Sequence, residues 1–166
     1  MKNTGIFYGS ATGYTADAAT RIAKALGVPL SDVHDVAQSS PSMLSAYDVL
    51  VFGSSTWGSG EVTDSWYDFL DGIECLDLSD KTIALFALGD ETMSDTFCGA
   101  AGVLYDRLKA TGAKFIGSFN TDGYDYRHSP AVREGRAVGL LLDDVNHADL
   151  TDSRIDAWAA QLKKEI

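Results

Sequence analysis

The residues best placed to do chemistry lie in Gly9-Ser10-Ala11-Thr12-Gly13-Tyr14-Thr15. Hydroxyls at Ser10, Thr12 and Thr15 alternate with two glycines. A short β-like run, Thr4 to Tyr8, precedes them. Thr15, Ala18, Ala19, Ile22 and Leu26 follow at helical spacing. The segment is therefore a strand end, a tight turn and a helix start. A helix N-terminus presents unpaired N–H groups and the positive end of its dipole. Glycines let that backbone come close to a ligand, and hydroxyls donate further hydrogen bonds. The chemistry that suits this arrangement is phosphate binding. Taken alone, the segment reads equally well as a Gly-Ser connection that merely joins a strand to a helix.

Two familiar phosphate loops are excluded. A P-loop needs Gly-x-x-x-x-Gly-Lys-[Ser/Thr]; here the glycines are one residue too close and no Lys follows. The Rossmann pattern fails because Ala11 stands at its second glycine. No Lys or Arg occurs from Thr4 to Ala19, so little ligand charge is neutralised. A monophosphate fits such a site better than a triphosphate.

Two further loops carry candidate groups. Gly53 to Glu61 holds Trp57 among Ser54, Ser55, Thr56, Gly58, Ser59 and Gly60. An indole amid glycines has little core to pack on. It either stacks on a planar ligand or folds back on the surface. Gly58 and Gly60 allow positive φ beside a ligand. Gly89 to Thr96 offers Asp90, which reads either as a partner for a ring N–H or as an ordinary turn residue. A phosphate cradle with a stacking aromatic points to a mononucleotide.

The elements that must position these loops follow from periodicity. The chain has 166 residues and 45% apolar content, enough for one domain with a sizeable core. A helix is predicted from about Tyr14 to Ala25, ended by Gly27-Val28-Pro29, and a short strand, containing His34, from Ser31 to Val36. Pro41 to Tyr47 reads as a loop with a helical turn. Val49 to Phe52 and Thr82 to Leu88 are continuous apolar runs, as in buried parallel strands. Thr63 to Leu70 reads as a helix with Trp66 and Leu70 on one face. Phe97, Ala100, Ala101, Leu104 and Leu108 mark another, stopped by Gly112. Phe115 to Ser118 is a strand that breaks at the polar stretch Asn120 to Arg136 and resumes at Ala137 to Leu142. The last helix is predicted to start near Thr151 as N-cap, with Leu150 and Ile155 as a hydrophobic staple. Its buried face is Ile155, Trp158, Ala159, Leu162 and Ile166. Strands alternating with helices give an α/β fold, an open five-stranded parallel sheet covered on both faces. Ligands in such folds sit beyond the carboxyl ends of the strands, where all three loops lie.

The net charge of −11 argues against nucleic acid and anionic membranes, and allows steering toward a basic protein partner. No apolar run is long enough to cross a membrane, and Met1-Lys2-Asn3 leading into a strand is not a signal peptide. The expected location is the cytoplasm. Cys75 and Cys98 are far apart and lack ligand spacing, so no metal site is expected.

In these residues the chain resembles the flavodoxins, specifically the long-chain group. The resemblance spans essentially the whole chain. It rests on Gly-Ser-Ala-Thr-Gly-Tyr-Thr (9–15), Thr-Trp-Gly-Ser-Gly-Glu (56–61), Ala-Leu-Gly-Asp (87–90), Phe-Cys-Gly-Ala (97–100) and Asp-Leu-Thr-Asp-Ser-Arg-Ile (149–155). It implies strand order 2-1-3-4-5, with the fifth strand split by the insertion at 120–136. It also implies non-covalent FMN and low-potential one-electron transfer between cytoplasmic redox proteins by a monomeric carrier. Ser10, Ala11, Thr12, Gly13, Tyr14 and Thr15 would hold the phosphate. Ser55, Thr56, Trp57, Gly58, Ser59 and Gly60 would flank the ring: Trp57 stacks on one face, and Gly58 offers its carbonyl to the flavin N5–H after reduction. Leu88, Gly89 and Asp90 would meet the pyrimidine edge, with Met93, Phe97 and Cys98 completing the third loop.

Two positions depart from the family pattern. Tyr14 replaces the usual Asn. The third loop is one residue shorter and lacks the Tyr that stacks on the second ring face, leaving Met93 as the nearest apolar candidate. A phospho-acceptor receiver domain is excluded, because Gly9-Ser10 and Gly53-Ser54 stand where it needs acids. A quinone reductase of the same fold is the alternative left by the missing Tyr.

Overall fold

The computed structural model describes residues 2–92 and 95–166. Five parallel strand positions form its sheet. The strands are β1 (Thr4–Gly9), β2 (Val33–Asp35), β3 (Val49–Ser55), β4 (Thr82–Leu88) and β5 (Lys114–Ile116), in order β2-β1-β3-β4-β5. β6 (Val132–Arg133) and β7 (Arg136–Ala137) pair as a separate antiparallel hairpin. β8 (Leu140–Leu142) returns to the sheet. β5 pairs with Thr82 to Ala84 and β8 with Phe86 to Leu88, so the two occupy successive halves of one strand position. The polar stretch between them is the predicted split of the fifth strand.

Alternation along the strands fills both faces. Leu50, Phe52, Leu85 and Leu141 pack with α2 (Asp64–Ile73) and α3 (Gly99–Leu108). Val51, Ala84, Phe86, Leu140 and Leu142 pack with α1 (Tyr14–Leu26) and α4 (Ala148–Glu165). Trp66 and Leu70 are fully buried on α2, as their shared face predicts.

Some boundaries differ from expectation. β2 is confined to Val33–Asp35 by flanking 3-10 turns, and the Asp35 carboxylate accepts the Ala37 N–H. Pro41–Ala46 is a 3-10 helix. Phe97 precedes α3, which begins after Cys98. α4 starts a full turn before Thr151, with His147 at its cap. The Asp143 carboxylate closes a turn by accepting the Val145 and Asn146 N–H groups, and this launches the helix early. Thr151 is then buried inside α4, its hydroxyl bonded to Asp144, and Leu150 and Ile155 no longer hold staple positions.

Gly139 lets the chain re-enter the sheet. A Cβ there would lie 2.0 Å from the carbonyl oxygen of Leu85. Backbone cannot yield as a flexible side chain can. Gly139→Ala should therefore destabilise the fold by about 1–3 kcal/mol. The check is the denaturant midpoint, which should fall with an unchanged slope.

Candidate functional site

The carboxyl ends of β1, β3 and β4 are level. Gly9 is opposite Ser54, and Ser55 is opposite Leu88. The three loops that follow therefore leave one edge of the sheet side by side.

The first loop ends in a bare helix terminus. Gly13 caps α1 at φ 93°, a left-handed conformation that disfavours any Cβ, and no side chain caps the helix. Gly13 O accepts the first helical bond, from Asp17 N at 3.0 Å. The N–H groups of Tyr14, Thr15 and Ala16 thus have no intrahelical acceptor. Ser10 Oγ accepts the Gly13 N–H at 3.0 Å, which leaves its own proton free to donate. Ala11, Thr12, Gly13 and Tyr14 are exposed, Tyr14 by 62%. Thr15 differs. It is fully buried, and its hydroxyl donates to Ser55 Oγ at 3.1 Å. Its side chain braces the loop against β3, and only its N–H is directed by helix geometry toward a ligand.

The second loop is a clipped turn. Trp57 N donates to Glu61 O at 2.8 Å, and Glu61 N donates to Trp57 O at 2.7 Å. Gly58 and Gly60 have φ of 53° and 92°. Thr56 N donates to Leu88 O at 2.9 Å, tying this loop to the third strand end. Gly58 and Ser59 are exposed at the tip, and Gly60 is buried. The Trp57 side chain is 45% exposed. It shares a depression of about 440 Å³ with Ser10, Ala11, Thr63, Asp64 and Ser65. The aromatic and the start of the first loop, Ser10 and Ala11, therefore meet in one cavity. Thr63 to Ser65, at the start of α2, are lining residues that loop composition does not single out.

The third loop turns its polar groups on itself. Asp90 Oδ1 accepts from Thr92 N at 2.8 Å, Thr92 Oγ1 at 2.6 Å and Asn146 Nδ2 at 2.7 Å. These bonds, the Thr92 hydroxyl foremost, hold its carboxyl below the usual range against a smaller effect of burial. The turn role of Asp90 is thus realised. Phe97 is buried and stacked on Tyr126 at 5.5 Å. Cys98 Sγ points to Ala87 O and Leu142 O, and burial pushes its thiol well up. Both side chains face the interior, so what these two residues can offer a ligand is backbone. Met93 lies outside the described residues.

The arrangement fits a phosphate with a planar group attached: uncapped N–H donors, the hydroxyls of half-buried Ser10 and exposed Thr12, and an exposed indole on the neighbouring loop. An open parallel sheet with such a site at its carboxyl edge defines a mononucleotide-binding α/β protein. The chain belongs to the flavodoxin family, whose pattern it matches over residues 6–158. It is 46% identical to flavodoxin 1 of Azotobacter vinelandii, over 100% of this chain and 98% of that one. It is 39% identical to a flavodoxin of Nostoc sp. strain PCC 7120, over 99% and 98%. The structure of Fusobacterium nucleatum flavodoxin bound to flavin mononucleotide superposes with a TM-score of 0.91 at 31% identity, covering 100% and 99%.

Proposed function

We infer that this protein is a low-potential one-electron carrier that holds FMN non-covalently and exchanges electrons with protein redox partners. The observation that carries this reading is the depression in which the exposed Trp57 meets Ser10 and Ala11, at the head of the loop that leads into the uncapped α1 terminus. Its support is the family match over residues 6–158 and the FMN named for the F. nucleatum relative.

FMN supplies the ring that takes and gives up electrons; the chain binds it, orients it and shields it. Ser10 and Thr12 donate to the phosphate, together with the N–H groups of Tyr14 to Ala16, while Ala11 and Gly13 shape the turn. Thr15 and Ser55 brace it. Thr56 to Gly60 carry the ring's neighbours: Trp57 covers one face, and the Gly58 carbonyl, at the exposed tip, is free to turn toward the ring edge. Leu88, Gly89 and Asp90 present backbone to the other end of the ring, with Phe97 and Cys98 behind them. The 166 residues act as one FMN domain, monomeric and cytoplasmic. No described helix is long and apolar enough to cross a membrane. The net charge of −11 favours partners with basic docking faces near the flavin edge.

A carrier lacks a nicotinamide site of its own. Stopped-flow mixing of the FMN-loaded protein with NADPH alone should give slow bleaching of the flavin absorbance. Addition of a catalytic amount of a flavodoxin reductase should accelerate it by orders of magnitude. Fast reduction by NADPH alone, passed on to a quinone, would instead make the protein a reductase.

A further inference from the structure

The third loop has an anchor at the β8–α4 junction that the cofactor reading does not use. Glu91 is buried, its side chain only 4% exposed. His147 Nε2 stands 2.8 Å from Glu91 Oε2, and Glu91 Oε1 is buried with no hydrogen-bond partner among the described residues. Burying a carboxylate is costly unless it is paired, so His147 is what keeps Glu91 inside. The residues before it are tied to the same junction. Gly89 N donates to Leu142 O at 2.9 Å, Asn146 Nδ2 to Asp90 Oδ1 at 2.7 Å, and Glu91 N to Asp143 Oδ2 at 3.0 Å.

Glu91, Asp143 and His147 lie within metal-ligand reach of one another. A metal is nonetheless a poor occupant. Asp143 Oδ1 already accepts from Val145 N and Asn146 N, and Oδ2 from Glu91 N and Asn146 Nδ2. Each of its oxygens thus has two donors and no lone pair to spare. The cluster is built as a clamp.

We propose that His147 is a positioning residue for the cofactor: through Glu91 it fixes the Gly89–Asp90 backbone at the ring end of the site. The proposal rests on the FMN reading above. Without His147, the Glu91 carboxylate is left buried and without its partner, which favours its leaving the interior and carrying the loop with it. The phosphate end, built on α1, does not share these contacts.

The test is titration of apoprotein with FMN and with riboflavin, in the wild type, His147→Leu and His147→Gln. His147→Leu should weaken both ligands by about tenfold and leave their affinity ratio unchanged. His147→Gln keeps an N–H donor for Glu91 and should recover most of the loss. The double variant Glu91→Gln/His147→Leu should recover part of it, since no buried charge remains. Unchanged riboflavin affinity in His147→Leu overturns the proposal. So does a Gln variant no better than Leu, which would make the role merely one of packing. If His147→Leu fails to fold, Asn146→Ala, which cuts the link to Asp90, should show the same equal loss, and its absence counts against the clamp. A wild type that binds neither ligand would overturn the FMN reading instead.

Discussion

FMN should bind the apoprotein at least about a hundredfold more tightly than riboflavin, because hydrogen bonds to a charged group are worth about 1.5–3 kcal/mol each. Riboflavin lacks the phosphate and forfeits the bonds of the α1 terminus: the free N–H groups of Tyr14, Thr15 and Ala16 and the hydroxyls of Ser10 and Thr12. The helix dipole adds to these. The double variant Ser10→Ala/Thr12→Ala should weaken FMN by about tenfold or more and leave riboflavin unchanged. Salt gives an independent check. No Lys or Arg occurs from Thr4 to Ala19, Asp17 lies in the first turn of α1, and Asp64 lines the cavity. The phosphate therefore approaches a repulsive field that salt screens. FMN affinity should rise with ionic strength while riboflavin affinity hardly moves. Equal affinities for the two ligands, or FMN binding that weakens steeply with salt, would count against a phosphate site built of neutral donors.

What the sequence made legible follows how local each signal is. The buried strands β3 and β4 announce themselves as apolar runs, and the helix faces of Trp66 and Trp158 repeat at helical spacing. The hydroxyls of Ser10 and Thr12 are local too, since both belong to the turn itself. Thr15 looks the same in composition but faces Ser55, forty positions away, so only the folded sheet decides its role. Asp90 is a similar case: Asn146 reaches it from the far side of the insertion. Thr151 makes a good cap in isolation, but the Asp143 turn sets the chain into helix four residues earlier, so α4 starts ahead of it. The signal existed, since Asp-Asp-Val-Asn is turn-forming composition. The Glu91–His147 pair left no such trace, being joined only by tertiary packing.

Trp57→Ala should weaken FMN and riboflavin by the same factor, about 30-fold, a loss of about 2 kcal/mol. Trp57 is 45% exposed, so a ring laid on it removes apolar area from water. Stacking contributes a further 0.5–1.5 kcal/mol or so. The truncation is a clean one. The turn from Trp57 to Glu61 is held by a pair of backbone hydrogen bonds, and Gly58 and Gly60 keep its left-handed geometry whatever the side chain at 57. Apoprotein stability should therefore change by no more than about 0.5 kcal/mol, as for surface substitutions generally. Trp57→Phe keeps a π-face and should retain most of the affinity. The measurement is quenching of flavin fluorescence on titration. Phosphorescent or emissive signals from the chain itself remain usable, since Trp66 and Trp158 are buried in the core and persist in the variant. A loss confined to FMN would place the indole against the phosphate end, beside Ser10 and Ala11, and not on the ring. Affinities unchanged for both ligands would mean that Trp57 is a surface residue that contacts neither.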